Sequence, residues 1–338
     1  MAERKTLTRQ RARNILNTAA KRTVLVTGDT MLDQFLWGNV SRISPEAPIP
    51  VVEFKRESFM AGGAGNVASN ITALNCQTQM HSVVGHDDAA KKLRALLKAN
   101  NVDCKTLIAA ASRQTSCKTR IIAQRQQVVR IDRESKTNLE PRLARRLLKS
   151  IDNSLAKAKA KTIVISDYGK GVVTQELLDE LKALGKRHGS WLSLDPKPVH
   201  SLDLRGLSLI TPNRKEAFEL AGIGDSTHNA NPIKDRNLMR AARQLIGELE
   251  LKVLLITLGE LGMLVCQPGH KSFHIPTIAR EVFDVSGAGD TVIGSFTLAI
   301  AAGASPIEAA IFANHAAGVV VGKLGTATVT PRELLASF

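Results

Sequence analysis

The chain is poor in the residues that build several common kinds of site. Its four cysteines, Cys76, Cys104, Cys117 and Cys266, are scattered among 338 residues with no Cys-x-x-Cys spacing. This argues against a disulfide framework or a cysteine zinc site and fits isolated thiols of a reducing compartment, hence a cytoplasmic location. One tyrosine and two tryptophans are too few for a base-stacking platform. No apolar run reaches the length of a membrane span, and residues 1–22 lack the apolar core of a secretory signal. The Gly-x-x-x-x-Gly-Lys-Ser/Thr loop of P-loop enzymes is absent, as is the protein-kinase motif set.

Negative charge is also in short supply. Lys and Arg total 46 against 31 Asp and Glu, a formal net charge of +15. The excess is concentrated. Arg4, Lys5, Arg9, Arg11, Arg13, Lys21 and Arg22 crowd the first segment against Glu3. A second group, Arg142, Arg145, Arg146, Lys149, Lys157, Lys159 and Lys161, falls on an expected surface helix. With so few aromatics, this pattern reads as a solvated basic face and an anionic small-molecule substrate, with no specific nucleic-acid or membrane partner.

What is present is a globular composition, 43% hydrophobic and 23% charged, with alternating strand and helix patterns. Strands are expected at 23–28, 80–85, 162–166, 191–195, 207–211, 253–257 and 262–266. Helices are expected at 65–74, 87–99, 174–187, 214–221, 237–249, 289–302 and 306–321. Such alternation predicts an α/β fold, a mainly parallel sheet with helices on both faces. Segments 34–55 and 116–132 break the alternation. They read as a small β flap, a lid able to cover a site.

The most informative stretch is Asp284-Val285-Ser286-Gly287-Ala288-Gly289-Asp290-Thr291, a small-residue turn into an apolar helix. The first N–H groups of a helix have no partner inside it, and the helix dipole adds positive charge there. Together they make an anion site. Asp290 at its mouth suits a base that takes a hydroxyl proton while a phosphoryl group arrives. The bland alternative is a glycine-rich cap with an aspartate in the first turn.

Other motifs fall at strand ends, where ligands bind in parallel sheets. Gly28 to Asp33 closes the first strand, with Asp33 placed to accept from sugar hydroxyls and Asp29 equally suited to a turn. Ala61-Gly62-Gly63-Ala64-Gly65-Asn66 is a second glycine-rich helix start. Lys118, Arg120 and Arg130 are cations suited to a phosphorylated substrate. Asp167 and Lys170 follow one strand, and Asp195-Pro196-Lys197 ends the next. Asn213, Arg214, Lys215 and Glu216 begin a helix, where Asn-x-x-Glu either holds magnesium-bound water or forms a capping box. Thr257, Gly259 and Gly262 form either a hairpin or a nucleotide rim. Asn314 either borders an adenine pocket or bonds within the core.

Taken in order, these motifs resemble the ribokinase-like (PfkB-type) carbohydrate kinases over about residues 22–335. Met31-Leu32-Asp33, Ser41 to Pro48, Val285 to Thr291 and Ala316 to Thr326 resemble, more narrowly, the heptose-7-phosphate kinase branch. The resemblance implies a ribokinase-like three-layer fold with a small β lid at about 34–56 and 116–132, in a domain of 22–338 after a basic extension of 1–21. It implies Asp290 as catalytic base and Gly287, Ala288 and Gly289 as anion hole. Asp33, Gly62, Gly63 and Asn66 match sugar-contacting positions, with Lys118, Arg120 and Arg130 toward the 7-phosphate and Asp167 on the same side. Asn213 to Glu216 match the nucleotide and magnesium motif, with Glu216 acting on the metal through water. Lys197, Thr257, Gly259, Gly262 and Asn314 are assigned to the nucleotide side. The expected cofactors are ATP and Mg2+, with room for a monovalent cation such as K+. The expected reaction is phosphorylation of D-glycero-β-D-manno-heptose 7-phosphate at O1, by a homodimer joined through lids. Many members of that branch carry a second, nucleotidyltransferase domain. A chain ending at Phe338 is expected to be the stand-alone kinase form or an isolated kinase domain. The rival readings are a fructose-phosphate or ribose kinase, and a non-catalytic sugar or nucleic-acid binder.

Overall fold

The computed structural model describes residues 6–124, 126–158, 160–197, 201–279 and 282–338. In chain order it begins with helix α1 (Arg9–Ala19), then β1 (Thr23–Gly28), β2 (Thr30–Ile43) and β3 (Pro50–Gly63). Next come α2 (Ala64–Ala73), β4 (Gln77–His81), β5 (Val83–Gly85), α3 (Asp88–Ala99), β6 (Ile108–Ala110), β7 (Ser116–Ala123) and β8 (Gln126–Arg133). The middle holds α4 (Pro141–Ala158), β9 (Thr162–Ser166), α5 (Gln175–His188), β10 (Trp191–Asp195), β11 (Leu209–Ile210), α6 (Arg214–Ala221) and α7 (Arg236–Glu248). The chain closes with β12 (Val253–Thr257), β13 (Met263–Cys266), β14 (Phe273–Ile275), α8 (Ala288–Ala301), α9 (Pro306–Val320) and α10 (Pro331–Ala336).

Eight strands form the main sheet in the order β14-β13-β12-β11-β10-β9-β1-β4. From β4 to β12 all pairings are parallel, and β13 and β14 add an antiparallel edge. Runs such as Val24-Leu25-Val26 and Ile163-Val164-Ile165 are fully buried, as strands covered by helices on both faces must be. Two hydrophobic cores result. One lies under α1, α2, α3, α8 and α9, the other under α4, α5, α6 and α7.

The two irregular segments become a separate four-stranded sheet in the order β3-β2-β7-β8. Its strands β2 and β3 are longer than the patterning indicated. They pair from Thr30↔Gly63 at the body of the molecule out to Ile43↔Pro50, with bulges near Gly38 and Val40.

Two expectations are corrected. The strand expected at 80–85 is two strands in different sheets: β4 pairs with β1, and β5 pairs with β6. Between them the Ser82 hydroxyl donates to the Gly28 carbonyl (2.5 Å), so the chain leaves the main ladder at that point. The described part of segment 1–21 is also no solvated tail. Thr8 caps α1 by accepting from the Arg11 N–H. Ala12, Ile15, Leu16 and Ala19 form a buried stripe at helical spacing. The Arg11 guanidinium grips Glu308 at the start of α9 through Nε (2.8 Å) and Nη2 (3.2 Å). Basic residues occupy the outer face and conceal that stripe from a charge count.

Ile15→Ala should therefore lower unfolding stability by about 2–4 kcal/mol, the usual cost of truncating a core aliphatic. Chemical denaturation measures this, and a change near zero would return the segment to the status of a tail.

Candidate functional site

Asp290 stands in the first turn of α8 and is buried, at 3% exposure. Two donors from distant segments hold it. Tyr168 Oη donates to Oδ1 (2.7 Å) and Asn66 Nδ2 donates to Oδ2 (2.7 Å). Each carboxylate oxygen keeps a further lone pair for a reacting hydroxyl. Burial pushes the Asp290 carboxyl up to about 6, against the opposing effect of the two hydrogen bonds. Burial first, and then Asp290, raises Tyr168 well above the ordinary phenol range, so it stays protonated and donates.

Each donor is itself fixed. Asn66 lies in the first turn of α2 and accepts from Asn70 (3.1 Å), whose side chain in turn accepts from Thr291 (3.0 Å) on α8. Tyr168 follows β9, on a loop organised by Asp29. The Asp29 carboxylate accepts from the backbone N–H groups of Tyr168, Lys170 and Val172 at 2.8–3.0 Å. Of the two roles open to Asp29, the structure shows the loop-building one. Asp167 accepts from the Gly169 N–H on the same loop.

Gly287 caps α8 at φ +78° without a side-chain partner. A Cβ there would lie 2.6 Å from Asn66 Nδ2, so a side chain would disturb the group that holds the base. Asp284 accepts from the Ser286 and Gly325 N–H groups (both 2.9 Å), tying the loop before α8 to the segment after α9. Ala288 and Gly289 open the helix; the Ala288 N–H donates to the Val285 carbonyl (3.2 Å), which leaves the first-turn N–H groups after it for an anion.

The second sheet supplies the next wall. Asp33, 3% exposed, forms a close ion pair with Arg120 Nη1 (2.6 Å). The two residues expected to contact substrate separately are thus brought together. Gly62 lies under them, and a Cβ there would collide with the Asp33 carboxylate. Gly63, at φ +58°, lies against Met31 and Tyr168. Lys118 stands on the same sheet face as Arg120, with Nζ 5.8 Å over the Tyr168 ring. Burial holds its pKa below the ordinary lysine range. Arg130 lies farther out, bonded to Asp132 at 2.8 and 2.9 Å.

On the other side, Asn213 and Glu216 form a capping box at α6. Lys197 Nζ donates to Glu216 Oε1 (3.0 Å). Asn213 bridges to Thr257 at the end of β12. Gly259 and Gly262 both take positive φ, and a Cβ on Gly262 would strike the backbone at Ile275 to Thr277. Asn314 Nδ2 donates to the Pro276 carbonyl (2.9 Å), joining α9 to this rim. Arg214 departs from the expected role. Its guanidinium pairs with Asp225 (2.6 Å) and Asp235 (2.9 Å) and bonds the Thr227 carbonyl. It therefore pins the loop before α7. Lys215 points its charge at Glu219, 3.7 Å away.

Two residues were given no role from the sequence. Tyr168 is the sole tyrosine and sits at a strand end, a signal that was available. Asp195 ends β10 half-buried, accepting from Thr211 Oγ1 (2.9 Å). Burial first, then the charges of Asp290 and Glu216, push it up to about 8. A divalent cation held mainly by phosphate oxygens would relieve that crowding. Among the described residues no group of three or more His, Cys, Asp or Glu is placed to hold a metal by itself.

A family model described as pfkB family carbohydrate kinase matches residues 21–333. The bifunctional protein HldE of Geotalea uraniireducens is 42% identical over 330 residues, 98% of this chain and 66% of its own length. The protein of the same name from Desulfatibacillum aliphaticivorans is 44% identical over 316 residues, 93% of this chain and 63% of its own. The chain thus spans about two thirds of the length of these relatives. Among solved structures, Escherichia coli phosphofructokinase-2 in complex with potassium superposes with a TM-score of 0.77 at 20% identity, covering 93% of this chain and 97% of that one. Arabidopsis thaliana ribokinase complexed with ribose and ATP gives 0.72 at 19%, covering 94% and 98%. These confirm the ribokinase-like α/β fold.

The raised carboxyls have a testable sign. A carboxyl near 8 in the folded state binds a proton that the unfolded chain, near 3.8, has released. Its contribution is full below about pH 4 and is lost as pH rises toward 8. Asp195→Asn should remove that loss, raising the melting temperature of the ligand-free protein by ~2 °C or more at pH 8 and little at pH 4. Equal shifts at both pH values would refute the assignment. Tyr168→Phe deletes a donor to Asp290 and should move that carboxyl's midpoint upward from about 6, as read by NMR titration.

Proposed function

We propose, from the premise that this chain belongs to the pfkB family of carbohydrate kinases, that it transfers the γ-phosphoryl group of ATP to O1 of D-glycero-β-D-manno-heptose 7-phosphate. The observation that carries the reading is Asp290, buried, doubly held and set in the first turn of a glycine-capped helix. Asp290 takes the proton of the acceptor hydroxyl as it attacks phosphorus. The proton moves to a carboxylate oxygen while the O–P bond forms and ADP departs. The turn Gly287-Ala288-Gly289 would present its free N–H groups, that of Gly289 foremost, to the transferring phosphoryl oxygens, since the Ala288 N–H is bonded to the Val285 carbonyl.

The heptose assignment rests on the HldE relatives and on cations at the sugar end. Lys118 makes no ion pair of its own among the described residues, so it is the first choice for the 7-phosphate. Arg120, partly neutralised by Asp33, and the outlying Arg130 come second. Asp33 accepts from ring hydroxyls while Gly62 and Gly63 leave room for the sugar. The nucleotide lies along Lys197, Asn213, Thr257, Gly259, Gly262 and Asn314. Glu216 would help hold a divalent cation such as Mg2+ through water, and the metal would supply charge neutralisation for the phosphates. The loop tied by Asp284 is where a monovalent cation such as K+ would act.

The second sheet serves as a lid that excludes water. Its exposed Phe54, Ile43 and Ile131 and its open edge strands β3 and β8 suit pairing with a second copy. We place this chemistry in the cytoplasm, where ATP is supplied.

Asp290→Asn should fold and bind ATP but lose about 10²–10⁴-fold in kcat, the usual contribution of a general base. In the wild type, kcat/KM should fall as pH drops through about 6, because the base must be ionised. Product analysis with ATP and a panel of sugar phosphates tests the substrate. A bisphosphate formed from fructose or ribose phosphates in preference to the heptose would overturn the assignment.

A further inference from the structure

The widest cavity described lies at the opposite end of the main sheet from Asp290. It encloses about 670 Å³, within the range of small-molecule sites. Its rim is the amino ends of β1, β9 and β10, together with Lys252 just before β12 and the carboxyl end of α8. Four cations line it, namely Lys21, Arg22, Lys161 and Lys252, and no acidic residue does. None of the four belongs to an ion pair among the described residues.

A solvated basic surface would explain the charges alone. The carboxyl end of α8 also favours nearby cations. Neither explains the rest of the lining. Thr162 (2% exposed) and Ser190 (8% exposed) both line the cavity, and both hydroxyl oxygens are buried without a hydrogen-bond partner. Buried hydroxyls seldom go unsatisfied. Trp191 forms part of the wall, with Lys252 Nζ 5.7 Å over its ring. Four like charges and an aromatic wall around one recess are complementary to a compact anion with a flat or apolar body.

We infer that this recess is a second ligand site, for a phosphate-bearing metabolite the size of a nucleotide or a sugar phosphate. The phosphate is held by Arg22 and Lys161 at the rim. The remainder of the molecule lies along Trp191. Arginine's planar fork and the lysine ammoniums are the groups that recognise phosphate oxygens.

Trp191 provides the readout. The chain has one other tryptophan, Trp37, so Trp37→Phe leaves a single reporter in the recess. Its fluorescence is titrated with inorganic pyrophosphate, AMP and ribose 5-phosphate. At least one should give a saturable change, and Arg22→Met/Lys161→Met should weaken that binding by about ten-fold or more while leaving the reporter and Lys252 in place. Arg22 and Lys161 are exposed, so the double variant should retain its melting temperature. The tightest response to AMP would assign a nucleotide, and the tightest to ribose 5-phosphate a sugar phosphate. No saturable response to any of the three overturns the site. So does a response that the double variant leaves unchanged, since the anion is then bound elsewhere. The Asp290→Asn protein should respond as the parent does, which separates this result from the fate of the kinase reading.

Discussion

The site depends on keeping one carboxylate buried and still able to accept a proton. Burial raises the Asp290 carboxyl, because a desolvated charge is costly. The phenol of Tyr168 and the amide of Asn66 return part of that cost through two short bonds. The balance leaves the group close to neutrality on the pH scale, where a base is ionised yet retains proton affinity. Much of the local architecture serves these two bonds. Asp29 shapes the loop that carries Tyr168, and the Asn66–Asn70–Thr291 chain fixes α2 against α8.

Across the site the electrostatics change sign. Toward the second sheet Lys118, Arg120 and Arg130 outnumber the carboxylates of Asp33 and Asp132, leaving an excess suited to an anionic acceptor. Toward the nucleotide side Asp195, Glu216 and Asp290 crowd one another, as the elevated Asp195 carboxyl records. Lys197 compensates in part through Glu216. A phosphorylated sugar and a metal-bound nucleotide would each meet the charge they need, on opposite sides of the same base.

Much of this was legible in the chain. Apolar runs of five or six residues bounded by glycine, serine or aspartate located the parallel strands, and the small-residue turn before Asp290 located the glycine-capped start of α8. The hidden parts have physical reasons. Asp33 and Arg120 are 87 positions apart, and only the parallel pairing of β2 with β7 makes them one ion pair. Arg214 was grouped with the nucleotide motif because its partners, Asp225 and Asp235, lie beyond the helix it begins. Asn213 and Glu216 do form the capping box. Helix α1 was obscured by charge, although Ala12, Ile15, Leu16 and Ala19 carry the helical period openly.

The hairpin of β2 and β3 begins inside the site and ends far outside it. Asp33 and Gly62 sit near its root, whereas Ile43 and Pro50 form its tip. Fourteen residues in each strand give a ribbon of about 46 Å at the usual strand rise. Such a ribbon is a lever with its fulcrum beside the sugar. A grip on the tip is amplified in reverse at the root, where several ångströms of travel become a few tenths. That is the scale on which hydrogen bonds to a hydroxyl are made or lost, so whatever holds the far end sets the precision of the near one.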